Sequence, residues 1–150
     1  MGKLYVAYGS NLHLAQMAAR CPSATIYGTG LLNNWELLYR GMDGNAHATI
    51  ARKKGSVVPV LVWSIEPSDE IRLDRYEGYP RYYFKQNVMV EVNGQKKLAM
   101  VYIMDLMKRP ATPSKYYIET IRQGYMDNDL DMSYFEDSLD VNAIECGKIA

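Results

Sequence analysis

Leu4 to Tyr8 is a short run of strand-forming residues that stops at Gly9-Ser10-Asn11, and Leu12 to Arg20 then carries a helical pattern as far as Cys21-Pro22. The opening is therefore predicted as a strand, a tight turn and a short helix. Trp35, Leu37 and Tyr39 alternate with Asn34, Glu36 and Leu38, while Ala46 to Arg52 and Val57 to Ile65 follow Gly-containing turns, which predicts three more strands. Pro67, Asp69 and Glu70 suit the first turn of a helix running to about Glu77. Gly78 stands where a left-handed cap belongs, and Pro80 forbids continuation. Tyr82 to Val92 and Lys96 to Met104 flank Asn93-Gly94, a hairpin signal because both turn residues need positive φ. Ser114 to Tyr125 reads as a helix, and Ser133 with Glu136 forms a capping-box pattern ahead of Tyr134, Phe135 and Leu139, so the chain closes with helices. Strands outnumber helices without regular alternation, which places the chain in the α+β class with a mainly antiparallel sheet or barrel.

Composition narrows the function classes. At 150 residues, 48% hydrophobic and 23% charged, the chain has the profile of one globular domain over 1–150. Such a domain needs neither a disulfide framework nor a metal to hold its core. Lys plus Arg and Asp plus Glu are balanced at 17 each, far from the basic footprint of a nucleic-acid binder. The longest apolar run, Val57 to Ile65, is interrupted by Pro59 and Ser64 and is too short to span a bilayer. The N-terminus runs straight into the first strand pattern, and the expectation is a cytoplasmic protein. Cys21, Cys146, His13 and His47 are scattered along the chain without the paired spacing of a metal site, so the thiols are expected to be reduced and structural.

Several partial motifs read as ordinary structure. Gly28-Thr29-Gly30 lacks the third glycine of a nucleotide loop and is read as a turn. Asp127, Asp129 and Asp131 resemble a calcium loop, yet Met132 stands where glycine belongs and Ser138 where glutamate belongs, leaving a solvated acidic linker. Ser10 and Cys21 stand in no recognisable nucleophile context. Thirteen tyrosines against two phenylalanines is a skewed choice. Most would be core or rim, and a few would line a cavity where a phenol can orient a polar ligand without adding charge.

Two features carry chemistry. Asn11 or Ser10 is placed to cap the first helix, leaving backbone N–H groups pointing out of a turn made tight by Gly9, which suits an anion. Glu77 ends the next helix beside its apolar face, four residues after Leu73. A carboxylate there meets the negative end of the helix dipole and loses roughly 0.3 to 1 kcal/mol. Either a cation such as Arg75 or Arg81 offsets this, or apolar surroundings raise the pKa and make a group that takes and gives a proton near neutrality.

Tyr5-Val6-Ala7-Tyr8-Gly9-Ser10-Asn11-Leu12 together with Leu73-Asp74-Arg75-Tyr76-Glu77-Gly78 resembles the gamma-glutamylcyclotransferase family, with its gamma-glutamylamine and antibiotic-processing relatives. The resemblance continues through Val101-Tyr102-Ile103-Met104, Pro113-Ser114, Tyr117, Ile121, Gly124 and Tyr134. It implies a small mixed, mainly antiparallel β-barrel with flanking helices, and a cavity opening beside the first turn. It further implies cleavage of a small γ-glutamyl amide to 5-oxoproline and a free amine, an intramolecular reaction that needs no cofactor or metal. The charge balance and short apolar runs add the expectation of no nucleic-acid or membrane partner. Carried over, Tyr8, Gly9, Ser10, Asn11 and Leu12 would hold the γ-glutamyl moiety, Glu77 would be the catalytic acid/base, and Tyr102 matches a pocket tyrosine. A further family tyrosine falls on Tyr82 or Tyr83, which a strand would point to opposite faces, and Tyr83 is taken. Two other readings stand beside this one. They are a non-catalytic module binding a small carboxylate metabolite, and an amidohydrolase using Cys21 or Ser10.

Overall fold

The computed structural model describes residues 2–105 and 107–148. Five strands, β1 (Lys3–Ala7), β2 (Thr25–Arg40), β3 (His47–Ile65), β4 (Tyr83–Val92) and β5 (Gln95–Met104), close a mixed barrel in the order β1-β3-β2-β4-β5. Every pairing is antiparallel except the closing one, where β1 meets β5 in parallel at Tyr5 and Met100. Four α-helices flank it: α1 (Leu14–Arg20), α2 (Pro67–Glu77), α3 (Lys115–Asp127) and α4 (Met132–Glu145). Leu32, Ile50, Val60, Val62, Val90 and Val101 are among the fully enclosed core side chains. Each contributes roughly 1.5 to 3 kcal/mol of apolar burial.

Two long strands replace the three predicted between residues 25 and 65. Gly28-Thr29-Gly30 is no turn: it lies inside β2, paired with Val62, Leu61 and Val60. A Cβ on Gly30 would sit 2.5 Å from the Glu91 carbonyl, so the glycine admits β4 alongside β2. Gly55, at φ +86°, likewise bends β3 without ending it, and its N–H donates to Asn34 Oδ1 at 3.0 Å across an irregularity in β2.

The first helix is also capped differently from expectation. Ser10 to Leu12 form a separate 3-10 turn, His13 is extended, and α1 begins after it with His13 Nδ1 accepting the Gln16 N–H at 3.2 Å. Neither Ser10 nor Asn11 is the cap. At α4 the cap is Asp131, which accepts the N–H and hydroxyl of Ser133, so the Ser133–Glu136 pair lies inside the helix. The acidic segment thus has bonded members, since Asp127 accepts the Leu14 N–H at 3.0 Å. α3 packs directly on the 3-10 turn, where a Cβ on Gly124 would lie 2.5 Å from Leu12 Cβ. α2 spans the predicted residues, with reciprocal capping between Glu66 and Asp69, Pro67 at its start and Gly78 left-handed at φ 67°.

Candidate active site

A cavity of about 280 Å³ opens where the 3-10 turn, the end of α2 and the start of β4 converge. Its wall includes Tyr8, Gly9, Ser10, Asn11, Glu77, Tyr83 and Tyr102, which the sequence placed up to 94 positions apart. Leu12 is the exception among the expected site residues. Its side chain is fully buried against α3 and supports the turn from behind, off the cavity.

The turn is fixed by hydrogen bonds of its side chains and backbone. Asn11 Nδ2 donates to the Tyr5 hydroxyl at 2.8 Å, its Oδ1 accepts from Arg20, and its carbonyl accepts the Trp63 indole N–H at 3.1 Å. Ser10 Oγ shares a 2.8 Å hydrogen bond with the Tyr76 hydroxyl. Asn11 therefore shapes the turn, while the backbone around Gly9 borders the cavity. A Cβ on Gly9 would stand 3.3 Å from Ala48 Cβ and 3.4 Å from the Tyr117 hydroxyl, so glycine keeps this wall close.

Tyrosines build much of the remaining wall. The Tyr8 hydroxyl donates to the Tyr102 carbonyl at 2.7 Å, and that of Tyr83 donates to the Ala48 carbonyl at 2.6 Å. The Ala48 N–H in turn donates to the Tyr117 hydroxyl at 2.9 Å. A phenol has one proton to donate, so Tyr8 and Tyr83 have only lone pairs left for a ligand, whereas Tyr117 keeps its proton. Burial, reinforced by the nearby Glu77 charge, pushes the phenols of Tyr5 and Tyr8 far up, and burial does the same to Tyr83 and Tyr117. All four are neutral at any physiological pH. Tyr102 lines the cavity too, with its hydroxyl donating to Asp74 Oδ1 at 2.6 Å.

Tyr82 and Tyr83 do not point to opposite sides. Tyr82 precedes β4 in a turn closed by its N–H to the Gly78 carbonyl at 2.8 Å, so strand alternation does not govern the pair. Both line the cavity, edge to face with ring centroids 5.3 Å apart, and the Tyr82 hydroxyl is 2.9 Å from His47 Nδ1. Tyr5, His47, Ala48 and Tyr117 escaped the sequence reading as site residues, whereas Tyr82, weighed there against Tyr83, lines the cavity beside it. Only the excess of tyrosine hinted at such a wall.

Glu77 is the last residue of α2 and faces this cavity, half-buried. Burial lifts its carboxyl from 4.5 to about 8, against a smaller opposing pull from the Arg20 guanidinium. Neither Arg75 nor Arg81 offsets its charge: Glu77 enters none of the ion pairs among the described residues. Arg20 itself lies over the Tyr76 ring, 3.5 Å from its centroid. A carboxyl that is desolvated, unpaired and titrating close to neutrality can accept a proton and return it.

The remaining candidates lack this setting. Cys21 is buried off the cavity, its Sγ 3.7 Å from the Asp69 carbonyl, and burial pushes its thiol up to about 11. Among the described residues no group of three or more His, Cys, Asp or Glu could hold a metal ion, and no helix is long and apolar enough to cross a membrane.

Comparison with known proteins gives a consistent result. A family model described as Gamma-glutamyl cyclotransferase, AIG2-like, matches residues 5–120. The chain is 30% identical over 145 residues to a gamma-glutamylcyclotransferase of Homo sapiens, covering 89% of this chain and 75% of that protein. A solved gamma-glutamyl cyclotransferase structure superposes with a TM-score of 0.78 at 26% identity, over 91% of this chain and 85% of that one. The crystal structure of an uncharacterized protein from Homo sapiens does so with a TM-score of 0.81 at 28% identity, over the same shares.

Proposed function

The chain belongs to the gamma-glutamyl cyclotransferase, AIG2-like family, and from that premise we propose that it cleaves a small γ-glutamyl amide to 5-oxoproline and a free amine, with Glu77 as general acid/base and no cofactor. The observation that carries this reading is the desolvated Glu77 carboxyl, without an ion-pair partner among the described residues, on a cavity walled largely by tyrosines and the Gly9 turn.

The substrate holds both reacting groups. Its α-amine attacks its own γ-carbonyl carbon, so the protein's main task is to fold the γ-glutamyl chain into ring-closing geometry. Such positioning is worth on the order of 7 to 11 kcal/mol in favourable intramolecular reactions. Tyr8 and Tyr83, whose protons are committed to backbone carbonyls, present lone pairs to the α-ammonium. The Glu77 carboxylate takes one proton from that ammonium, and the freed amine forms the new C–N bond. The γ-carbonyl becomes an oxyanion, for which the backbone N–H groups of the Gly9 turn and the free Tyr117 proton are donors. Collapse of this intermediate breaks the amide C–N bond. The departing nitrogen takes the proton from Glu77, and the restored carboxylate then takes the second proton from the ring nitrogen and passes it to the released amine, leaving a neutral lactam and Glu77 ionised. Proton transfers of this kind contribute roughly 10²- to 10⁴-fold. Both cysteines are free, which suits the cytoplasmic setting we propose.

The test incubates the protein with γ-glutamyl amino acids, γ-glutamyl amines and glutathione, and measures 5-oxoproline by mass spectrometry. Formation of 5-oxoproline by the wild type and its loss in Glu77→Gln are expected. Release of glutamate instead would favour the hydrolase, and saturable binding without turnover would favour the metabolite-binding module; either outcome overturns the proposal.

A further inference from the structure

The helix that carries Glu77 has little apolar anchorage. Its buried residues are Asp69 and Leu73, while Ile71 and Tyr76 are exposed. Asp69 is occupied at the start of the helix by the N–H groups of Glu66 and Ser23. Apolar burial therefore ends at Leu73, one turn short of Glu77. The Glu77 carboxyl forms no ion pair of its own among the described residues, so its place over the cavity is dictated by the backbone of the last helical turn.

Polar contacts take over where burial stops. Glu70 and Asp74 lie four residues apart on one face of α2. Lys85 Nζ, rising from β4, reaches both, at 2.6 Å from Glu70 Oε2 and 2.9 Å from Asp74 Oδ1. Asp74 also accepts the Tyr102 hydroxyl at 2.6 Å, and Glu70 is gripped from its other side by Lys3 at 3.1 Å. Lys85 and Tyr102 are directly opposed partners of the β4–β5 ladder, so the two groups holding Asp74 share one rigid base. The hold passes on along the chain, because the Asp74 carbonyl accepts the Tyr79 N–H at 2.9 Å and thereby closes the turn containing Glu77. Lys85, Glu70 and Asp74 are each less than a third exposed, with side-chain exposures of 21%, 21% and 28%, so water and salt screen the cluster less than a surface pair.

We propose that Lys85 is a positioning residue for Glu77: by clamping Glu70 and Asp74 to the cavity-bearing strands, it sets where the end of α2 places its carboxyl relative to the Gly9 turn. Lys85 is not among the cavity-lining residues, and its effect is exerted through Asp74. Its catalytic consequence rests on the function proposed above; its mechanical consequence does not. Displacing a reacting group by about 1 Å costs up to roughly 10²-fold in rate.

The experiment compares wild type, Lys85→Met and Lys85→Arg by steady-state formation of 5-oxoproline from the best γ-glutamyl amide, and by amide hydrogen exchange. In Lys85→Met, kcat is expected to fall roughly ten- to a hundredfold while KM stays within about threefold. Amides of residues 72–79 should exchange about tenfold faster, with β2 and β3 unchanged. Lys85→Arg should restore both, since the cation is retained. An unchanged kcat in Lys85→Met, or faster exchange spread evenly over the barrel, would overturn the inference. If the wild type makes no 5-oxoproline, the proposed function fails by itself. The exchange arm then decides alone: unaltered protection of residues 72–79 in Lys85→Met overturns the clamp, and selective loss supports it.

Discussion

Replacing Glu77 by glutamine deletes one ionisable group while keeping its size, and the structure assigns opposite signs to its effects on stability and turnover. The carboxyl titrates at 4.5 in a solvated chain and at about 8 in the fold. Between those values the native state keeps a proton that the unfolded chain has released. Stability therefore falls as pH rises, by up to about 1.36 kcal/mol per pH unit. Integrated, the cost of the wild-type carboxyl is under about 1 kcal/mol at pH 5, about 3 at pH 7 and about 5 at pH 9. These are upper bounds, because a cavity-lining carboxylate keeps part of its hydration; about 1 to 3 kcal/mol at pH 9 is the expected gain of Glu77→Gln. Urea denaturation at pH 5, 7 and 9 with linear extrapolation measures it. Glu77→Gln should match the wild type at pH 5 and become progressively more stable above it, with 5-oxoproline formation down by at least ~10² throughout. A stability gap that does not widen with pH, or a variant less stable at pH 9, would refute the claim that the fold confines this carboxyl in a desolvated site.

The same titration predicts that kcat/KM of the wild type rises with pH and levels off above about 8, because free enzyme must present the carboxylate; a flat profile from pH 6 to 9 counts against it. Cys21→Ala should retain wild-type turnover, since the thiol is buried off the cavity and pushed up to about 11, and loss of turnover in a folded variant would restore the covalent route. Tyr83→Phe strips the short donor from the buried Ala48 carbonyl, whose other neighbour, the Tyr8 hydroxyl at 3.4 Å, has its proton on the Tyr102 carbonyl, and should cost about 1 to 3 kcal/mol in urea denaturation together with a rise in KM. Gly124→Ala forces a methyl to 2.8 Å from the Leu12 backbone and should cost about 1 to 3 kcal/mol, lowering Tm by roughly 2 to 4 °C per kcal/mol, read by calorimetry.

Local chemistry was legible where a single residue type decides the backbone. Asn93 and Gly94 take positive φ at the hairpin, and Gly78 does so behind Glu77, so β4, β5 and the end of α2 could be placed from the chain alone. Glycine misled where it serves packing: Gly28, Gly30 and Gly55 were read as breaks, yet the first two admit a neighbouring strand and the third bends β3 without ending it. Strand order was beyond reach for a different reason. Closing β1 against β5 depends on a single parallel register at Tyr5 and Met100, and nothing local at either residue marks it.

The site divides along the same line. Tyr8 and Glu77 were visible because each sits beside a glycine-marked turn, where an acid or an open backbone is conspicuous. His47, Ala48 and Tyr117 were not visible as wall residues, because their part depends on Tyr117 of α3 and Tyr83 of β4 meeting the backbone of Ala48 in β3, whose carbonyl accepts from Tyr83 and whose N–H donates to Tyr117. The carbonyl commits the Tyr83 proton, and the N–H leaves the Tyr117 proton free. Ala48 thus makes Tyr83 an acceptor and leaves Tyr117 a donor, as the Tyr102 carbonyl makes Tyr8 an acceptor, and the proposed reaction relies on that division. The polarity of the cavity is consequently a property of how β3, β4 and α3 meet at Ala48, away from the helix that carries Glu77.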